Sequence, residues 1–319
     1  MMIRVSIVFF ISFLFTPTIF LLPYIDYTGN EKIVLTGGFE STNAFISYVT
    51  INGHNYIIKQ KKRSNSQLGA ARDALAAYIA KDLNIAHAVA VIAANVDVPG
   101  KINSVWPATL HTIAAGKTVR SQKESKYYAL SLKQRLPGVK ITGQWLTEKI
   151  IDQITWHKQL PIIIALDLFI CNTDRHSGNL FYDPETDRFC AIDMDSIFRR
   201  DLPEMACQKL DEMINVHLKE FTEKEIKALI SVKKTINFLL SKYSSQHLIN
   251  KFRFFVKQSG FIKGNPLYTE RVQRKIAHHE SMIITSRASL HKLMAMLNGI
   301  INKFYDKRFY VNNNNYFVN

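Results

Sequence analysis

Hydrophobic residues change their spacing along this chain, and the change divides it in two. Ile33–Leu35, Ala44–Ile51 and Asn55–Gln60 read as successive strands, with Asn52-Gly53 a strong hairpin signal between the last two. Thr36-Gly-Gly-Phe-Glu-Ser-Thr-Asn43 reads as the turn between the first two. In the third strand Ile57 and Lys59 share one face, and Ile58 and Gln60 share the other. From Gln67 the period lengthens. Leu68, Ala71, Leu75, Tyr78, Ile79 and Leu83 fall near one face of an amphipathic helix over Gln67–Leu83. His87–Ala94 and Tyr127–Gln134 read as strands, and Trp106–Ala115 as an excursion without a clear period. Ile141–His157 and Leu160–Cys171 read as helices. The second is nearly all apolar, which predicts a central buried helix. Leu180–Tyr182 and Arg188–Ile192 form a hairpin that turns at Asp183-Pro184. From Pro203 on the chain reads as all helix. Thr222-Glu-Lys-Glu225 is a capping box opening a helix to about Lys242. Gly264-Asn-Pro266 separates the next pair, and the tract Asn312–Asn315 is predicted to fray.

Ahead of all this lies an apolar run, Ile3–Leu22, with one early positive charge at Arg4. It reads as an export signal or an N-terminal membrane anchor. No small-x-small cleavage site follows, which favours an anchor. Arg4 favours a cytoplasmic N-terminus, with the rest of the chain outside. Pro17 argues against a buried first helix.

At 319 residues the chain suffices for one bilobal domain or two small ones. Its 47% hydrophobic and 21% charged residues are those of a globular protein. The net charge of +15 favours anionic partners such as acidic lipid or polyphosphate, unless it only reflects a chain rich in Lys. No nucleic-acid fold signature accompanies the charge, which disfavours nucleic acid as partner. Cys171, Cys190 and Cys207 have no zinc spacing; Cys171 and Cys190 read as buried thiols, with a disulfide as the alternative.

The chemistry concentrates in Asn172-Thr-Asp-Arg-His-Ser-Gly-Asn179 and Ala191-Ile-Asp-Met-Asp195. Asp174 stands five residues before Asn179, and Asp193 fourteen after it. Phosphoryl transfer from ATP asks for this set: one carboxylate to orient and deprotonate a hydroxyl, and an amide oxygen and a second carboxylate to hold Mg²⁺ on the phosphates. Asp174 is therefore the expected catalytic base, with Asn179 and Asp193 the expected metal ligands. His176 reads as a γ-phosphate contact or proton relay, or as a loop hydrogen-bonding residue. Asp195 reads as a ligand to a second Mg²⁺ or as a cap, and Arg175 as a partner for an acid or phosphate. Lys59 would reach the α- and β-phosphates from its strand. Backbone N–H groups at Gly37 and Gly38, with the hydroxyls of Ser41 and Thr42, would cover those phosphates.

The two acidic segments resemble the catalytic and metal-binding segments of the phosphatidylinositol 3-/4-kinases. Asn172-Thr-Asp-Arg175 and Ala191-Ile-Asp193 are especially similar to the type II phosphatidylinositol 4-kinases. The same arrangement recurs in the kinases of bacterial toxin–antitoxin modules. The likeness is sharp over residues 160–200, fainter over 33–135 and absent after 205. It implies an α+β, bilobal protein-kinase-like fold that uses ATP and Mg²⁺. Residues 31–135 would be a small β-rich N-lobe and 136–310 a mainly helical C-lobe, preceded by the hydrophobic segment 1–25 and followed by a disordered tail, 311–319. Residues 127–138 would be the link that flanks adenine.

A kinase helix after the strand lysine offers it a Glu. Here the helix has no Glu, and the only acid in its first half is Asp73, which pairs with Lys59 or is a first-turn acid favoured by the helix dipole. The expected activity is ATP- and Mg²⁺-dependent transfer to a phosphoinositide or a protein hydroxyl. A pseudokinase or nucleotidyl transferase on the same fold is the alternative, favoured by the missing Glu. A metal-dependent hydrolase using Asp174, His176 and Asp193 is a third reading. An exported kinase needs ATP where it arrives, so the chain is a secreted effector meeting ATP in a host, or the apolar run only tethers it.

Overall fold

The computed structural model of the protein describes residues 33–40, 44–61, 68–83, 85–87, 90–93, 108–112, 117–118, 157–175, 179–183, 186–217, 221–260 and 268–314. The apolar run 3–22, the strand expected over 127–134, the link 127–138 and nearly all of the helix expected over 141–157 lie outside these residues. Among the described residues no helix is long and apolar enough to cross a membrane.

Two sheets come first. β1 (Ile33–Glu40), β2 (Ala44–Ile51) and β3 (His54–Lys61) are antiparallel neighbours. They are extended by β6 (Ala108–Thr112) and β5 (Ala90–Ala93), giving the order β1-β2-β3-β6-β5. The hairpin at Asn52-Gly53 forms as expected, with both residues at positive φ, 51° and 80°. The Gly37-Gly38 pair is not a turn. It lies within β1, where the register slips by one residue between Leu35 and Gly37. Thr36 is thus an extra residue, and glycines in a strand interior commonly mark such irregularities. The segment without a clear period supplies β6, which pairs with β3 through Lys59↔Thr109. At five residues the strand is too short for its period to stand out, and Thr109 and Leu110 are both buried, so neither face is marked as the wet one.

The second sheet has the order β4-β9-β8-β7, where β4 is Ala86–His87, β7 Lys117–Thr118, β8 Leu180–Asp183 and β9 Arg188–Ala191. The single strand expected over 87–94 is therefore split. His87 pairs with Ala191 in this sheet, and Ala90–Ala93 pair with β6 in the other.

Helix α1 (Gly69–Ala80) packs on β5 and β6. Its other side meets α5 (Ser245–Gln258). The remaining helices are α2 (Leu160–Phe169), α3 (Leu202–His217), α4 (Glu223–Lys242) and the 45-residue α6 (Glu270–Asn314). The α4 capping box closes as expected, with Glu225 N–H donating to Thr222 Oγ1 and Thr222 N–H to the Glu225 carboxylate. α2 is buried among α3, α4 and α6, as its composition predicts. The described residues thus form a β-rich N-terminal part and a mainly helical C-terminal part.

The junction between them is tied by polar groups at the end of α1. Tyr243 O–H donates to Asp82, Lys242 pairs with Asp82 at 2.9 Å, and Tyr78 Oη lies 3.1 Å from His247 Nε2. Lys81 and Lys251 approach the Tyr78 ring at 4.3 and 4.7 Å from its centre. All three cysteines are buried and free. Burial pushes the thiols of Cys171 and Cys190 up to about 12, so both stay protonated and inert at neutral pH.

Because Leu166 is fully buried at the centre of α2, Leu166→Ala should lower the unfolding free energy by about 2–5 kcal/mol. Urea unfolding followed by circular dichroism measures this. A loss below about 1 kcal/mol would mean that α2 is not the core element.

Candidate active site

The β8–β9 hairpin places two of the expected residues together. Leu180 pairs with Ala191, so Asn179 and Ile192 leave the same end of the hairpin. Ile192 N–H donates to Asn179 O at 3.2 Å. Asp193 follows at once in the left-handed region, φ 52°, which turns its carboxylate out of the strand path.

The loop between α2 and β8 is built on a buried charge. Asp167 is fully buried in an otherwise apolar helix. Arg175 grips it with two bonds, Nε–H to Oδ2 at 2.9 Å and Nη2–H to Oδ1 at 3.0 Å. Asn172 Nδ2–H adds a third at 2.8 Å. Arg175 Nη1–H then donates to Asn179 O at 2.6 Å and to Ile192 O at 2.9 Å. One guanidinium therefore fixes the α2 end, the loop and the strand exit. Within the loop, Asn179 Nδ2–H donates to Asp174 O at 2.9 Å and Asp174 N–H to Asn172 Oδ1 at 3.2 Å. Asp174 and Asn179 are thus held against each other. His176 lies outside the described residues, as do Ser41 and Thr42.

Lys59 enters from β3. Its ammonium donates to Asp193 and lies 3.5 Å from Asp195 and 3.7 Å from Asp73. Burial opposes its charge, but the three carboxylates outweigh burial and hold its pKa well above the usual lysine range. The expected pairing of Asp73 with Lys59 is present. The competing reading of Asp73 as a first-turn acid falls, because α1 begins at Gly69 and has no acid in its first turn. Gly37 and Gly38 sit two strands from Lys59. Gly38 faces Ser47, and Lys59 faces the adjacent Ile46. At about 4.8 Å per strand, that is roughly 10 Å across the sheet.

One carboxylate oxygen from each of Asp73, Asp193 and Asp195 lies within 4.8 Å of the others. The three carboxylates outnumber the cations beside them, the Lys59 ammonium and the Arg72 guanidinium, by one. Such hard oxygen donors fit Mg²⁺, which takes few protein ligands and keeps water or phosphate oxygens for the rest.

Sequence reasoning missed several supporting groups. Asp167 had a signal, a lone carboxylate inside an apolar helix. Arg72 and His279 had none. Arg72 Nε–H donates to Asp195 O, and its Nη1 lies 3.0 Å from His279 Nε2, 207 residues away in sequence. Burial and the charge of Arg199 push Arg72 down to about 10, with Asp195 and Asp73 opposing, so it stays charged at neutral pH.

No family model matches the chain, and no curated protein matches it. Solved structures give weak likenesses. The proinflammatory kinase CtkA of Helicobacter pylori aligns over 88% of this chain and 99% of its own, at 13% identity and a TM-score of 0.47. A spectinomycin phosphotransferase solved with ADP and spectinomycin aligns over 80% and 92%, at 12% identity and a TM-score of 0.26. An ethanolamine kinase of Plasmodium vivax aligns over 82% and 83%, at 11% identity and a TM-score of 0.27.

Removing Arg175 strands the buried Asp167 charge. Arg175→Ala should cost about 3–5 kcal/mol of stability, the usual effect of breaking a buried ion pair from one side. Chemical denaturation measures the loss. A cost under about 1 kcal/mol would show that the pair is not holding the loop.

Proposed function

We propose that this protein is an ATP- and Mg²⁺-dependent phosphotransferase with a hydroxyl acceptor. The observation that carries the reading is the meeting of Lys59 with Asp73, Asp193 and Asp195 at one point, beside a loop that holds Asp174 against Asn179. Asp193 and Asp195 would hold the metal, with Asn179 completing the donor set. Bound Mg²⁺ would neutralise charge on the phosphates. Lys59 would turn from Asp193 to the α- and β-phosphates, and Asp73 would keep its ammonium in place. Asp174 would orient the acceptor hydroxyl and take its proton. The β1 strand with Gly37 and Gly38 would cover the nucleotide, with Ser41, Thr42 and His176 as further phosphate contacts.

The pseudokinase reading drew on the missing helix Glu. Asp73 at 3.7 Å from Lys59 supplies an acid in that place and favours the active kinase. A hydrolase reading gives Lys59 no task, yet Lys59 sits amid the acids.

The acceptor belongs to the same proposal. Arg271, Arg274, Lys275 and His278 share one face of α6 and form an open basic patch there. Together with the net charge of +15 it suits an acidic surface. That favours a phosphoinositide in a membrane over a protein hydroxyl, and the apolar run 3–22 would tether the enzyme there.

Labelled ATP and Mg²⁺, offered with phosphatidylinositol vesicles, with casein-like protein and with no acceptor, separate these cases. Lipid product is expected. Labelled protein without lipid product would overturn the lipid acceptor and keep the kinase; no transfer to any acceptor would overturn both. Asp193→Ala should abolish transfer in a protein that still unfolds cooperatively. Asp174→Asn should lower turnover by roughly 10²–10⁴-fold while ATP binding survives. Loss of ATP binding in step with turnover would move Asp174 from proton transfer to a structural or metal role.

A further inference from the structure

The acidic segment Asp193–Phe198 is bounded by two residues in the left-handed region, Asp193 at φ 52° and Phe198 at φ 49°. A non-glycine residue there persists only where its surroundings hold it. The loop supplies some of the hold. Phe198 N–H donates to Ile170 O at 3.0 Å, and Thr173 N–H to Ser196 O at 3.5 Å. The rest comes from a residue on the long C-terminal helix. His279 Nδ1 lies 3.0 Å from Phe198 O, and its Nε2 lies 3.0 Å from Arg72 Nη1. A carbonyl oxygen only accepts, so Nδ1 carries the hydrogen. A guanidinium only donates, so Nε2 is bare. The ring is thus the neutral Nδ1–H tautomer. Its setting agrees, since burial beside Arg72 pushes its pKa down to about 3.

We infer that His279 is a positioning residue for this acidic segment, holding Phe198 O directly and Asp195 through Arg72, whose Nε–H donates to the Asp195 carbonyl. The relay joins α6, α1 and the segment. It pins the backbone of the residue whose carboxylate stands with Asp73 and Asp193. Imidazole suits the task because it is rigid, small enough to bury beside Phe252, and offers one donor and one acceptor on opposite edges. Without it, Arg72 Nη1 and Phe198 O both lose a buried partner. Its value for the reaction rests on the metal role of Asp193 and Asp195.

His279→Leu keeps bulk and removes both hydrogen bonds; His279→Gln keeps a donor and an acceptor. Three measurements decide the matter: amide exchange over residues 193–200 in the metal-free protein, Mn²⁺ affinity by electron paramagnetic resonance, and urea unfolding. His279→Leu should unfold cooperatively, exchange the 193–200 amides at least about tenfold faster, and bind Mn²⁺ about 10–100-fold more weakly, the usual effect of losing a partner behind the ligands. His279→Gln should recover most of both. Unchanged exchange in His279→Leu would overturn the proposal. So would equal losses in the Leu and Gln variants that track their lost stability, and so, where Mn²⁺ binding is lost in Asp193→Ala, would faster exchange with Mn²⁺ affinity kept within twofold. If the parent protein binds no Mn²⁺, or Asp193→Ala binds it equally well, the metal reading fails on its own. Faster exchange over 193–200 in His279→Leu then still supports the relay.

Discussion

A carboxylate with no exposure to water can stay ionised only if its surroundings supply the hydrogen bonds that water would have made. Asp167 is such a group, and its demand shapes the centre of the protein. Arg175 answers it with a two-bond grip, and Asn172 with a third bond. The guanidinium has donors left over, and the nearest acceptors are the carbonyls of Asn179 and Ile192. Meeting one buried charge therefore decides how the loop leaves α2, where it enters β8 and where β9 ends. Asp174, Asn179 and Asp193 are placed as consequences.

The second constraint is electrostatic and joins distant pieces of chain. Asp73, Asp193 and Asp195 would repel one another without a cation, and Lys59 supplies it from β3. Asp73 is one carbon shorter than a Glu, so it reaches Lys59 only if α1 sits close to the sheet. Contacts at both ends of α1 keep it there. Arg72 ties its first turns to Asp195 and His279. Tyr78 and Asp82 tie its end to Tyr243, Lys242 and His247. In this protein the helix that serves the lysine is joined to the helical part of the fold as well as to the sheet. That gives Asp73 a fixed approach and couples the acidic segment to α6.

Elements whose signals are local could be read directly from the residues. Asn52-Gly53 adopts the positive φ angles that a tight hairpin needs, and Thr222 with Glu225 closes a reciprocal cap within one turn. The apolar run Leu160–Phe169 could only be buried. The spacing of Asp174, Asn179 and Asp193 was legible too, because a loop followed by a short hairpin returns both ends to one place. Other features depend on residues far apart in the chain and emerge only when it folds. Gly37-Gly38 lies in a strand because β2 pairs on both sides of it, which its own residues do not reveal. Residues 108–112 form a strand because β3 and β5 flank them, and five residues are too few for their own period to announce it. Asp73 was open between two roles until the packing of α1 brought it to Lys59. The Arg72–His279 contact joins residues 207 apart, and no periodicity or spacing records such a pair. A hydrogen bond between distant residues depends on how every intervening element packs, and only the folded chain holds that information.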